Sequence, residues 1–244
     1  MDYEGLLELV KKRRSIRRFK PDPIPDEYLD KILGVARWAP SGFNMQPWEF
    51  VVVRKPELRK NIVKYINAYW AQVKNMEAAR ESWQGKPWQA TGVLDAGMDF
   101  TTAPVFIILY GDPRTRAGLP MGVRYDSNRC SLIFTSGLAS AFLYMHLAAT
   151  TLGLASQWVS AITTPFASVM TKHLLGIPAE METFDMIALG YPALQPGGKL
   201  MRDPNKMIHY DACGPKDFRS DEEVKDFVKQ ARKWTVGSHR RKAD

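Results

Sequence analysis

From Ser131 to Ser156 the chain reads SLIFTSGLASAFLYMHLAATTLGLAS, without one Asp, Glu, Lys or Arg. As an α-helix this stretch would be roughly 39 Å long, and a helix with no charged face has no side to offer water. It exceeds the ~20 residues that cross a bilayer. Yet Ser, Thr, Gly and Ala are frequent in it, His146 interrupts it, and no other part of the chain has membrane character. The reading that follows is a helix buried all round, in a core or between subunits. The rest of the fold must supply its neighbours.

Those neighbours can be read in order. Leu6, Leu7, Leu9 and Val10 predict a short helix over Gly5–Arg14, and its basic end suits the helix dipole. Three prolines in SIRRFKPDPIP forbid helix there. A second helix begins at Pro25-Asp26-Glu27, carries one apolar stripe (Leu29, Ile32, Leu33, Ala36) and ends at Pro40. Glu49–Val53 reads as a strand. Pro56 to about Ala79 is periodic in Leu58, Ile62, Ile66, Tyr69 and Val73. Between Arg80 and Phe100 the pattern fades around Trp83, Trp88 and Met98, which suggests a mobile lid.

PVFIILYGD is a buried strand, Arg114–Asp126 a Gly/Pro-containing loop, and ASQWVSAI a third strand or extended segment. Phe166–Leu175 is a helix stopped by Gly176 and Pro178, and FDMIALGYP a fourth strand. An extended tail to about Asp211, a helix over Asp221–Trp234 and a frayed basic end, GSHRRKAD, complete the chain. The layout is α+β, a few strands covered by many helices. No linker divides it, so a single domain over 1–244 is expected, with a variable lid at about 68–128.

Composition narrows the function classes. At 244 residues, 45% hydrophobic and 25% charged, the chain is of globular type. Cys130 and Cys213 form neither a disulfide framework nor a zinc pattern, which suits a reducing, cytoplasmic setting. The start, MDYEGLLELVKKRRS, has acids before its apolar stretch and bases after it, unlike a signal peptide. A net charge of +8 is either a solvated basic surface or an attraction to phosphorylated ligands. No helix-turn-helix, RNA-binding or zinc-finger signature supports nucleic acid.

Three clusters could carry chemistry. Arg13, Arg14, Ser15 and Arg17 sit where a helix gives way to extended chain. Guanidinium forks grip phosphate bidentately, although a basic surface patch has the same composition. In APSGFNMQPWEFVVV (39–53), Asn44 and Gln46 could match the edge of a heterocycle or could satisfy loop backbone. Gly190-Tyr191-Pro192, followed by Lys199 and Arg202, could close over a phosphate. There is no GxGxxG after a strand, no GxxxxGK[ST], no GxSxG and no HExxH, and the four His are dispersed, which argues against a metal site. With no nucleophile and base in view, a cofactor would do the chemistry of any enzyme here.

Taken in order, RRSIRRF, APSGFNMQPWEFVVV, AITTP, ALGYP and MRDP resemble the motifs of the FMN-dependent nitroreductase family, over roughly residues 5–211 and most weakly from about 68 to 128. The resemblance implies a nitroreductase-like fold: a small mixed, mainly antiparallel sheet surrounded by helices, in an intertwined homodimer. It implies that Arg13, Arg14, Ser15, Arg17 and Arg202 hold the FMN phosphate and ribityl chain. Pro40, Ser41, Gly42, Asn44 and Gln46 would form the loop that one subunit lends to the flavin of the other. Ile162, Thr163 and Thr164 would run past the flavin ring near N5, and Gly190 would also border the cofactor.

No catalytic side chain is implied, since the flavin does the chemistry. NADH or NADPH would donate hydride, and a nitroaromatic, quinone-like or other conjugated acceptor would follow in a ping-pong scheme. Trp83, Trp88 and Phe43 are candidates to line the acceptor pocket. Thr164 at N5 is similar to the halotyrosine dehalogenase branch, which makes FMN-dependent reductive dehalogenation a rival. Against it, residues 68–100 offer Glu77, Glu81 and Lys86 but no Tyr after Tyr69. The dimethylbenzimidazole-forming branch and a non-enzymatic flavin-binding protein are further alternatives.

Overall fold

The computed structural model describes residues 2–76, 79–81, 100–194, 196 and 198–238, leaving aside the side chains of 70–72, 74, 75 and 232–238. Trp83, Trp88, Glu77, Lys86, most of the 80–100 segment and the last six residues lie outside these.

The chain divides into two units, residues 1–70 with 99–194 and residues 71–98 with 195–244. In the first, α1 (Tyr3–Lys12) starts at Asp2, whose carboxylate accepts from the Gly5 amide at 2.9 Å. It is followed by α2 (Asp26–Ala36), β1 (Trp48–Val53), α3 (Pro56–Met76) and β2 (Val105–Gly111). Then come α4 (Met121–Arg124), α5 (Ser127–Thr151), β3 (Ala155–Val159), α6 (Pro165–Leu175) and β4 (Glu182–Gly190). Gly176, at φ 67°, ends α6 in the left-handed conformation that a Cβ would disfavour.

The four strands lie in the order β1-β2-β4-β3, every ladder antiparallel. Among the described residues the parallel component of the expected mixed sheet is one isolated bridge, Ser15 with Ser156. β2 falls inside the 68–128 stretch expected to vary, but it is buried along its whole length at the centre of the sheet. Its alternate side chains feed two cores. Val105, Ile107 and Leu109 pack with Ile187 and Leu189 against α2 and α5. Phe106, Ile108 and Tyr110 pack with Met186 and Ala188 against Ile62 and Ile66 of α3 and Ala167 of α6.

Two expectations need correction. Arg114–Asp126 is not simply a loop: it holds a 3-10 helix, Pro113–Gly118, and α4. Asp112 caps the first by accepting from the Arg114 amide at 2.9 Å, and Pro120 precedes the second. Helices this short leave no periodic apolar signal.

The uncharged helix starts earlier and stops sooner than the 131–156 window. Asp126 caps α5 at its start, and a turn at Gly153 (φ 73°) sends Ala155 and Ser156 into β3. Nor does one chain bury it all round: Leu132 is 68% and Leu143 45% exposed. The fold covers the face bearing Phe134, Leu138, Ala141, Phe142 and Met145 and leaves the other open. Ser136 and Ser140 on α5 satisfy their hydroxyls by donating to the carbonyls of Leu132 and Ser136. By length and composition α5 could cross a membrane, and half of its most apolar window is buried in the fold.

In the second unit, Pro204–Lys206 and Pro215–Asp217 form 3-10 turns. A reciprocal Ser220–Glu223 cap, each side chain accepting from the other's amide, then starts α7 (Asp221–Ser238). This helix runs past the Trp234 end read from sequence and takes in the first two residues of the expected frayed tail.

Candidate functional site

Arg13 is the C-cap of α1, where its amide still reaches the Leu9 carbonyl at 3.0 Å while its backbone turns extended. The chain beyond it is sewn to the strands. Ile16 N–H donates to Ser156 O at 3.1 Å, Lys20 N–H to Tyr191 O at 2.9 Å and Ala193 N–H to Arg18 O at 3.1 Å. Phe19 N–H donates to the Thr102 hydroxyl at 3.1 Å. These bonds lay Arg13, Arg14, Ser15 and Arg17 along the ends of β3 and β4.

Gly190 makes the approach possible. A Cβ there would stand 2.8 Å from Pro104 Cδ and 3.0 Å from Phe19 Cβ. The room beside Gly190 is therefore taken by packing side chains.

Arg13 and Arg17 are in an uncomfortable state. Burial lowers the guanidinium pKa of both, and Arg14 adds repulsion at Arg13. Among the described residues no carboxylate pairs with either, and Arg17 Nε is buried without a partner. Such donors ask for an anion. Ser15 is exposed and Arg14 half-buried.

The 39–53 stretch forms a strained loop. Ser41 is extended, Gly42–Asn44 makes one 3-10 turn, and Phe43, Asn44 and Gln46 all have positive φ (53°, 50° and 44°). Among the described residues only Asp211 shares that state without being glycine. Each such residue costs roughly 1–3 kcal/mol, so the surroundings must hold the shape. Ser41 Oγ accepts from Gln46 N–H at 3.0 Å, and Gln46 Nε2 donates to Asn44 Oδ1 at 3.1 Å. The two carboxamides singled out from sequence thus bond each other across the loop. Gly42 and Ser41 press on α5 at Ile133 and Gly137. Pro40 and Phe43 are exposed, Phe43 at 59%.

The third segment leaves β3 as a 3-10 turn, Ser160–Thr163. Ile162 is buried. The Thr163 hydroxyl donates to Ser160 O at 2.8 Å and the Thr164 hydroxyl to Ala161 O at 3.0 Å. For Thr164 to donate elsewhere, its hydroxyl must turn away from that carbonyl. Arg202, in the second unit, donates to Lys206 O at 3.1 Å.

Two buried polar groups near these segments were not singled out from sequence. His146 on α5 is 2% exposed, with Nδ1 at 2.7 Å from Ser156 Oγ. Burial, with Arg13 nearby, lowers its pKa to about 3. Asp185 on β4 accepts from Trp158 Nε1 at 2.6 Å. Burial raises its pKa, against the pull of Trp158 and Ser160. The available signal was the alternation of Ser156, Trp158 and Ser160 in ASQWVS, one polar-tipped face of a strand.

The family model described as "Nitroreductase family" matches residues 10–191. A protein of Methanothermobacter thermautotrophicus named "Putative NADH dehydrogenase/NAD(P)H nitroreductase" is 30% identical over 206 residues, 84% of this chain and 86% of that one. Iodotyrosine deiodinase 1 of Rattus norvegicus is 29% identical over 200 residues, 79% of this chain and 64% of its own length. The solved FMN-dependent nitroreductase of Clostridium difficile R20291 superposes with a TM-score of 0.59 at 23% identity, covering 85% of this chain and 99% of that one. The last likeness bears on the fold, which is nitroreductase-like.

Proposed function

The chain belongs to the nitroreductase family and is an oxidoreductase, and on that footing we propose that it binds FMN, takes hydride from NADH or NADPH and reduces a nitroaromatic, quinone-like or other conjugated acceptor in two half-reactions. The observation that carries this reading is the pair of half-desolvated guanidiniums, Arg13 and Arg17, without a carboxylate among the described residues and with Arg17 Nε unpaired. A dianionic phosphate fits that donor set. Arg13, Arg14, Ser15 and Arg17 would grip it, with Arg202 as a further cation. Ile162, Thr163 and Thr164 would run past the ring, and Gly190 would border the cofactor through the segment packed beside it.

When bound, FMN supplies the acceptance of hydride and its delivery to the acceptor. The protein's part is to fix the cofactor and align the two substrates in turn. A second copy of the chain completes the site in this reading: Pro40, Ser41, Gly42, Asn44 and Gln46 would serve the partner's flavin. The exposed face of α5 with Leu132 and Leu143, together with Trp38 at 86% exposure, supports such a contact. The setting we propose is cytoplasmic, in keeping with two free cysteines. The proposed partners are a second copy and a small aromatic or conjugated molecule, neither nucleic acid nor membrane.

The test is direct. Purified protein should be yellow, release FMN, and bleach anaerobically with NADH or NADPH. Colour that persists with both nucleotides refutes the hydride step and favours a passive flavin carrier. Reductive dehalogenation is the second reading, supported by Thr164 and by the likeness to iodotyrosine deiodinase 1. Iodide release from iodotyrosine by the anaerobically reduced protein would favour it.

A further inference from the structure

β3 has two faces with different tasks. Ala155 and Val159 fill the core shared with α3 and α6. Ser156 and Trp158 face the other way, onto α5, where His146 and Phe142 meet them. The His146 ring stacks on the Trp158 indole, centroids 5.7 Å apart and planes 16° from parallel, with Phe142 edge-on at 5.2 Å. Trp158 Nε1 is held by Asp185 Oδ2 at 2.6 Å. His146 Nε2 and Asp185 Oδ1 are both buried without a partner.

A buried group that leaves one of its polar atoms unpaired is costly where packing alone would serve. Both residues nevertheless touch the points from which the two inner segments of the site hang. Ser156, bonded to His146 through its side chain, uses its own carbonyl to hold Ile16 N–H, in the bridge that lays down Arg13–Arg17. Trp158, whose Nε1 Asp185 holds, and Ser160 lie just ahead of Ile162–Thr164, and Ser160 O accepts from the Thr163 hydroxyl.

We infer that His146 and Asp185 are positioning residues for the cofactor site, His146 acting on Arg13–Arg17 through Ser156 and Asp185 acting on Ile162–Thr164 through Trp158 and Ser160. The inference rests on the FMN reading above for what is positioned. Neither residue touches the cofactor. The indole between them couples the two anchors, since its ring lies on the imidazole and its N–H on the carboxylate.

The experiment has two arms. In the first, FMN is titrated into cofactor-stripped protein, at a temperature where circular dichroism shows every variant folded. His146→Leu and Asp185→Ala should weaken FMN binding about tenfold or more, the equivalent of one hydrogen bond's alignment. His146→Gln and Asp185→Asn, which keep a polar atom at the bonding position, should recover most of it. Should His146→Leu fail to fold, Ser156→Ala removes the same link without touching the ring.

The second arm needs no FMN. Hydrogen exchange at the Ile16 amide should speed up in His146→Leu or Ser156→Ala, while β1–β2 amides stay as in the parent protein. Variants with lowered urea midpoints but unchanged FMN affinity and unchanged Ile16 exchange would overturn the inference. Failure of the parent protein to bind FMN would instead refute the functional reading, with the exchange arm still deciding the anchor.

Discussion

The Cα of Gly42 faces Ile133 so closely that a Cβ would lie 2.2 Å from Ile133 Cγ2. A β-branched side chain on a helix has little rotamer freedom with which to yield. Gly42→Ala should therefore destabilise the protein by about 1–3 kcal/mol, read as a lower urea midpoint at unchanged slope. Ile133→Ala added to Gly42→Ala should return part of the loss relative to the sum of the single changes. Strict additivity of the pair would mean that the contact is not the cause.

Removing the cations should act on cofactor retention more than on stability. Arg13→Ala, Arg17→Ala and Arg202→Ala should each weaken FMN binding by roughly 1.5–3 kcal/mol, the worth of one charge-assisted hydrogen bond. Arg17→Ala also removes a buried, unpaired Nε, so its unfolding midpoint should hold or rise. Equilibrium dialysis of flavin against each variant measures the first effect. Unchanged affinity in both Arg13→Ala and Arg202→Ala argues against a phosphate at this place.

Acid should weaken the fold through His146. Its pKa in the folded protein is about 3, against about 6.5 in an unfolded chain. The unfolded state therefore takes up the proton first. The stability tied to the neutral ring is complete above about pH 6.5 and falls as pH drops towards 3, by at most about 1.4 kcal/mol per pH unit. Asp185, whose pKa is raised, has the opposite sign: its contribution falls as pH rises through the range above 3.8. Comparing urea midpoints of the parent and His146→Gln from pH 7 to 4 cancels Asp185 and the surface acids. The parent curve should be the steeper, and parallel curves would mean that the ring is not held neutral.

Tyr110 offers a prediction of the other sign. Its hydroxyl is buried without a partner, and burial pushes its pKa up to about 12. Tyr110→Phe should leave stability unchanged or raise it by about 1 kcal/mol, since it removes a polar group that has lost its water. A clear loss on thermal unfolding would point to an internal partner for that oxygen.

The strands were legible because β2 and the Met186–Leu189 half of β4 are runs of apolar residues, and α2 because Leu29, Ile32 and Ala36 recur at helical spacing and are indeed the buried ones. The short helices around Pro113–Arg124 were not, because caps rather than periodicity define them. The open face of α5 was hidden for another reason. Ser131, Leu132, Thr135 and Leu143 have no charge to mark them as exposed, so composition could not tell covered from uncovered.

The ordered motifs pointed to the site's segments, but not to how they are held. The Asn44–Gln46 bond, the neighbours that fill the space beside Gly190, and the His146–Ser156 contact between α5 and β3 depend on pairings that spacing along the chain does not encode.

The loop from Ser41 to Gln46 is held in its unusual backbone by Ile133 and Gly137 beneath it and by its own side-chain bonds. Its conformational entropy is thus surrendered when the chain folds, not when something binds. Whatever docks against it meets a finished surface, so the loop's contribution to recognition should show in how fast a ligand associates as much as in how long it stays.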